Sequence, residues 1–177
     1  AIKDCNTALS LRLKDAEIPI AYHLKARALL QSGKYRKAIA CVKKAGSFGD
    51  KLYSEERDDQ RVIGASLYHL GKYKEAIIPL TSGLRNKINS KVKSADAYYY
   101  RGLCYYKLGE LENALADLES AIKIAPSRPQ YYSTRAKVLR KSGKIDLAKA
   151  DESKAKTMKK EKHWLFYDLI IKNKNGV

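Results

Sequence analysis

The residues of this 177-residue chain best able to do chemistry are three histidines (His23, His69 and His163), three cysteines (Cys5, Cys41 and Cys104) and 36 lysines and arginines. Catalysis needs titratable groups that converge: a nucleophile within reach of a base, or donors arranged to cradle a phosphate. A zinc site needs Cys and His in closely spaced pairs. The three histidines are scattered through different stretches, no CxxC occurs, and no Cys stands beside a His at metal-ligand spacing. GxxxxGK[ST], GxGxxG after a strand and HExxH are all absent. These absences argue against an enzyme and imply neither cofactor nor metal. The cysteines read as small buried thiols in a reducing compartment.

The chemistry that is plentiful is recognition. The 36 basic residues face 19 acidic ones, a net charge of +17. Residues 127–177 hold 14 basic and 5 acidic residues, so charge is densest towards the C-terminus. Such a surface attracts acidic peptide segments, phosphate or anionic lipid. The 13 tyrosines add broad rings with few rotamers and a hydroxyl each. No run reaches the roughly 18 apolar residues of a membrane helix, and no signal peptide is visible. A cytoplasmic or nuclear setting is expected. Ala1 is not an initiator Met, so the chain reads as a piece of something longer.

Residues this far apart act together only if the elements beneath them repeat. With 4 Pro and 10 Gly, the chain favours helices over a turn-rich β fold. Four glycines, Gly33, Gly71, Gly109 and Gly143, recur in one context, and each is followed five residues later by alanine: Ala38, Ala76, Ala114 and Ala148. Seven further on stand Ala45, Gly83, Ala121 and Ala155. A helix-turn-helix unit explains the pattern. Glycine takes the positive-φ turn, the bulky residue two places later (Tyr35, Tyr73, Leu111 or Ile145) enters the core, and small residues lie where paired helices touch.

On these residues the chain resembles the tetratricopeptide-repeat family. Repeat three matches best, through Tyr98, Gly102, Tyr105, Gly109, Ala114, Leu118, Ala121 and Pro126. Repeat four departs at Glu152, where a bulky apolar residue is usual. The resemblance covers residues 1–157 and implies an all-α, right-handed solenoid. Its expected parts are a half-repeat at 1–16, repeats at 17–50, 51–93, 94–126 and 127–157, and a C-terminal capping helix and tail at 158–177. Ala1, Cys5 and Ala8 fit the second helix of a truncated leading repeat, an apolar end that upstream chain or a second subunit would cover. Self-association there is one expectation. Pro79 should bend its helix, whereas Pro129 suits a first helical turn.

In this family the first helices of successive repeats line a concave groove. Carried over position by position, the lining is His23, Leu24 and Arg27 in repeat one, and Arg61, Val62, Ala65, Tyr68 and His69 in repeat two. Repeat three supplies Tyr99, Tyr100, Leu103, Tyr106 and Lys107, and repeat four Ser133, Thr134, Lys137, Arg140 and Lys141. Tyr35, Tyr73, Tyr98 and Tyr105 fall at core positions. The two-carboxylate clamp of some family members is not matched: its positions hold His23, Arg27, Val62, Asp96 and Tyr100, or one repeat later Arg61, Ala65, Tyr100, Gln130 and Thr134.

The resulting expectation is a scaffold that holds a peptide or helix of a partner protein, acidic in character, within a larger assembly factor, co-chaperone or cytoskeletal protein. The alternative is an RNA-binding module that uses the basic C-terminal third.

Overall fold

The structure is a computed structural model that describes residue 2 and residues 17–48, 59–85 and 91–174, the last fifteen and residues 91–93 by backbone alone. Eight helices follow from Glu17: α1 (Glu17–Gln31), α2 (Tyr35–Gly46), α3 (Asp59–His69), α4 (Tyr73–Arg85), α5 (Lys91–Leu108), α6 (Leu111–Ile124), α7 (Pro129–Lys141) and α8 (Ile145–Lys174). They form four helix pairs, and no strand occurs among the described residues. The all-α repeat fold expected from the glycine and alanine spacing is present.

Each pair turns on its glycine. Gly33, Gly71, Gly109 and Gly143 have φ between 74° and 85°. In each turn the residue after the glycine donates its N–H five residues back, as in Lys34 to Leu29 and Lys72 to Leu67, both 2.9 Å. This closure satisfies last carbonyls of the first helix, and its positive φ favours glycine. Five residues on, Ala38, Ala76, Ala114 and Ala148 are completely buried, and Ala45, Gly83, Ala121 and Ala155 are buried after them. Across the interface stand Ala26, Gly64, Gly102 and Ala136, also buried. Gly64 is the tightest case, since a Cβ built there would lie 2.4 Å from Leu80 Cγ.

The helices form two layers. Each inner helix (α1, α3, α5, α7) packs on its own outer partner and on the next inner helix, whereas among the described residues no outer helix packs on another outer helix. Closer approach on the inner side curves the stack and places the inner helices on its concave face.

Three expectations are refined. Pro129 does occupy the first turn of α7, but Pro79 lies buried inside an unbroken α4. The capping helix expected within residues 158–177 is not a separate element, because α8 runs 30 residues from Ile145 to Lys174, about 45 Å long. Ile145 is 39% exposed rather than inserted in the core. Among the described residues no further pair covers that face of the last repeat, which also accounts for Glu152, paired on the surface with Arg140 at 2.6 Å. Ala1, Cys5 and Ala8 lie outside the described residues.

Candidate functional site

The inner face is built around aromatic rings. At the end of α3 the His69 ring stacks on Tyr35, 4.6 Å between centroids and 5° from parallel. His69 meets Tyr100 edge-on at 5.7 Å, and Tyr100 meets Tyr99 at 5.5 Å. Tyr99 in turn lies 4.8 Å from Tyr131. Tyr68 joins the set through Tyr73 and Tyr100. Rings from all four helix pairs therefore touch in one series, which requires the inner helices to stack in register.

Polar groups pin the series. Tyr131 donates its hydroxyl to Asp96 Oδ1 at 2.6 Å, and Asp96 Oδ2 lies 4.0 Å from Arg61 Nη1. The Tyr99 hydroxyl meets Thr134 Oγ1 at 3.3 Å. Burial, with smaller contributions from Tyr99 and Tyr73, pushes the Tyr68 phenol up to about 12. Burial also raises Tyr100, opposed by the nearby Arg61 cation, and raises Tyr131, reinforced by its bond to Asp96. These phenols stay protonated and act as apolar bodies with fixed donors. Burial lowers His69, so its exposed ring is neutral at neutral pH.

The positions read from the sequence separate into three groups. Val62, Ala65 and Thr134 are buried, at 2%, 0% and 7% exposure, and belong to the wall rather than to its surface. Tyr68, Tyr99, Tyr100, Leu103 and Tyr106 are half-buried. Arg27, Lys107, Lys137 and Lys141 are exposed. The Lys141 ammonium lies 5.5 Å over the Tyr106 ring, joining α7 to α5 at the basic end. His23 packs into the α1–α3 junction, with Nδ1 2.6 Å from Asp59 Oδ1. That contact is close but off-line for a hydrogen bond.

Two residues matter more than their types suggested. Tyr131 is fully buried and anchors the aromatic series. Asp96 is engaged by Tyr131 and faces Arg61, so it organises the wall.

Tetratricopeptide-repeat models match residues 95–128 and residues 20–45. The chain is 32% identical over 157 residues to the TPR repeat-containing protein MJ1428 of Methanocaldococcus jannaschii. The chain belongs to the tetratricopeptide-repeat family. The alignment covers 84% of this TPR chain and 26% of the archaeal protein, so the chain spans about a quarter of that relative. Among solved structures, MamA superposes with a TM-score of 0.67 at 22% identity, over 92% of this chain and 88% of MamA. YrrB, described as a TPR protein with an unusual peptide-binding site, gives 0.61 at 18% identity, over 89% of this chain and 75% of YrrB. At such identities the likeness is one of fold. Among the described residues of this TPR protein no helix is long and apolar enough to cross a membrane.

Proposed function

We propose that this TPR protein is a protein-interaction scaffold whose inner face holds a peptide or helical segment of a partner, with no catalytic step. The carrying observation is the continuity of the ring series from Tyr35 to Tyr131 beside three exposed lysines, Lys107, Lys137 and Lys141. The half-buried side chains of Tyr68, Tyr100, Leu103 and Tyr106 offer apolar area at low entropic cost. The lysines favour carboxylates and speed encounter with an acidic segment. The repeat architecture, shared with a structure described as peptide-binding, supports the same reading.

RNA is the weaker reading because stacking needs free ring faces. Here His69 covers Tyr35, Tyr131 lies against Tyr99, and Lys141 covers Tyr106. The deciding experiment compares an acidic peptide with a single-stranded oligonucleotide, using the chain and its Lys107→Glu/Lys137→Glu/Lys141→Glu variant. Peptide binding that the variant loses, with helicity by circular dichroism unchanged, is the expected result. Undiminished binding by the variant refutes the assignment. Oligonucleotide binding alone, with a log–log salt slope near the value of about −2 for three phosphate contacts, transfers the site to nucleic acid.

A further inference from the structure

We propose that repeat one carries a second binding site, separate from the partner segment's: a cavity between α1 and α2 that takes the phosphate of a monoester, with Lys25, Lys34 and Lys37 as its cations.

A recurring arrangement is half complete in repeat one. In repeats three and four an inner-helix arginine lies over the tyrosine three residues before it and bonds to an aspartate of the outer helix, Arg101 to Asp117 and Arg135 to Asp151. Repeat one keeps the cation and its ring. Lys25 stands at the arginine position, with its ammonium 6.0 Å from the centre of the Tyr22 ring. The aspartate position holds Cys41, a free thiol. The cation is present where its internal anion is absent.

The neighbouring positions add charge rather than cancel it. Lys34 precedes α2 and Lys37 stands in its first turn. In repeat two the same places hold Lys72 and Glu75, which pair with each other at 3.0 Å. In repeat three they hold Glu110 and Asn113, joined by a hydrogen bond of 2.8 Å. Among the described residues no carboxylate lies within ion-pair distance of Lys25, Lys34 or Lys37, and α2 itself has no acidic residue.

These three lysines line one cavity of about 390 Å³, whose other walls are Ile2, Leu29, Ala40 and Cys41. That volume falls in the range of about 300–1,000 Å³ usual for small-ligand sites. Three ammonium groups around one cavity call for more than a single negative charge. A phosphate monoester carries about −1.5 to −2 at neutral pH and three acceptor oxygens, and lysine binds phosphate as a point charge. A carboxylate would match Lys25 alone. The largely apolar walls suit the organic part of the ester.

Phenyl phosphate and phosphatidylcholine vesicles containing phosphatidic acid present the same group, free and as a lipid headgroup. Phosphorus NMR titration reads the first and vesicle flotation the second. The chain should bind at least one, and the one it binds identifies the source. Bound ligand should slow iodoacetamide labelling of Cys41. The carboxylate counterpart of the bound probe, benzoate or vesicles containing oleate, should bind at least about fivefold more weakly. Lys25→Gln, Lys34→Gln and Lys37→Gln should each weaken binding by up to about fivefold, the upper end for an exposed ion pair. Cys41→Asp returns a carboxylate to Lys25 and should weaken binding, with helicity unchanged. Cys41→Ser should keep it, as should Lys43→Gln, which changes net charge equally but lies outside the cavity. Failure of both probes to bind, equal binding of the carboxylate, or equal binding by Cys41→Asp and Cys41→Ser overturns the proposal and leaves the peptide reading untouched.

Discussion

Arg101 holds Asp117 through two parallel hydrogen bonds of 2.8 Å, joining the inner and outer helices of repeat three. The same brace recurs 34 residues later between Arg135 and Asp151, at 2.7 and 2.8 Å. In each case the guanidinium also lies over a tyrosine three residues earlier, Tyr98 or Tyr132. Repeat two holds Ile63 and Pro79 at the matching positions, and repeat one Lys25 and Cys41. The C-terminal half of the solenoid is therefore braced by ion pairs where the N-terminal half is not. Arg101 extends its brace to Thr81 on α4 at 3.0 Å, tying repeat three to repeat two.

Asp117 is 5% exposed, so Asp117→Ala should leave a largely buried guanidinium without its partner. We expect a loss of about 2–4 kcal/mol, somewhat reduced from a fully buried pair because Arg101 is partly exposed. Arg101→Ile combined with Asp117→Ala, which approximates the apolar arrangement of repeat two, should recover more than half of it. Urea unfolding midpoints of the three proteins measure both numbers. A double variant no more stable than Asp117→Ala contradicts the account.

Gly64 and Leu80 make the tightest helix contact of repeat two. A Cβ at Gly64 meets Leu80 Cγ at 2.4 Å and Cδ2 at 2.7 Å, so Gly64→Ala must displace a fully buried leucine. Overpacking of this kind costs about 1–3 kcal/mol. Gly46→Ala, whose Cβ would meet nothing within 4 Å, should be neutral or slightly stabilising through helix propensity. Thermal melts of the two variants should shift in opposite directions or by clearly different amounts.

Much of this fold is legible from spacing alone, because a residue's place relative to the turn glycine decides its layer. Ala38, Ala76, Ala114 and Ala148 are buried for that reason. The groove is less legible. Val62, Ala65 and Thr134 share a helix face with surface positions, and small rotations of the stack decide which side chains the neighbouring helix covers. Tyr131 reads as ordinary until its hydroxyl is seen to meet Asp96, 35 residues earlier. The Arg–Asp braces carried a usable signal: Arg101 and Asp117 repeat at the 34-residue interval as Arg135 and Asp151, a match a residue-by-residue overlay of repeats three and four reveals.

Tyr100 belongs to the wall as much as to its surface. It packs against the cluster of Ala76, Leu80, Ala97 and Cys104, so Tyr100→Ala should destabilise by about 2–3 kcal/mol, at the lower end for a partly exposed ring. Any loss of binding in that variant mixes packing with recognition. Tyr100→Phe keeps the ring and should leave the melting temperature within about 2 °C of the parent, as expected for a change near zero in stability. A large drop in the phenylalanine variant would mean that the hydroxyl carries the interaction.

His69 links stability to acid. Burial lowers its pKa in the folded chain, so the unfolded chain takes up the proton first as pH falls through about 6.5. The histidine's contribution is fully present above that pH and is lost as pH falls further, through the folded value. Its NMR titration midpoint should lie below 6.5, and His69→Gln should flatten the acid limb of stability below about pH 6.5. A midpoint above 6.5 would mean that Tyr35 and Tyr100 hold the imidazolium as a cation, reversing the sign.

Cys104 gives the alkaline counterpart. The residue is completely buried on α5, and burial, aided by the Asp117 charge nearby, pushes its thiol up to about 12. The thiolate is the reactive form, so a buried thiol this weakly acidic should resist alkylation at pH 8.5, where an ordinary cysteine is about half ionised. Cys41 is only partly covered and should be modified first. The stability that Cys104 contributes is present below about pH 9, the ordinary thiol range, and declines as pH rises towards the folded value. Iodoacetamide labelling followed by peptide mass mapping separates the two sites. Modification of Cys104 in the native chain at the rate seen in urea would show that repeat three opens locally, which the paired Arg101 and Asp117 across the same helix interface should prevent.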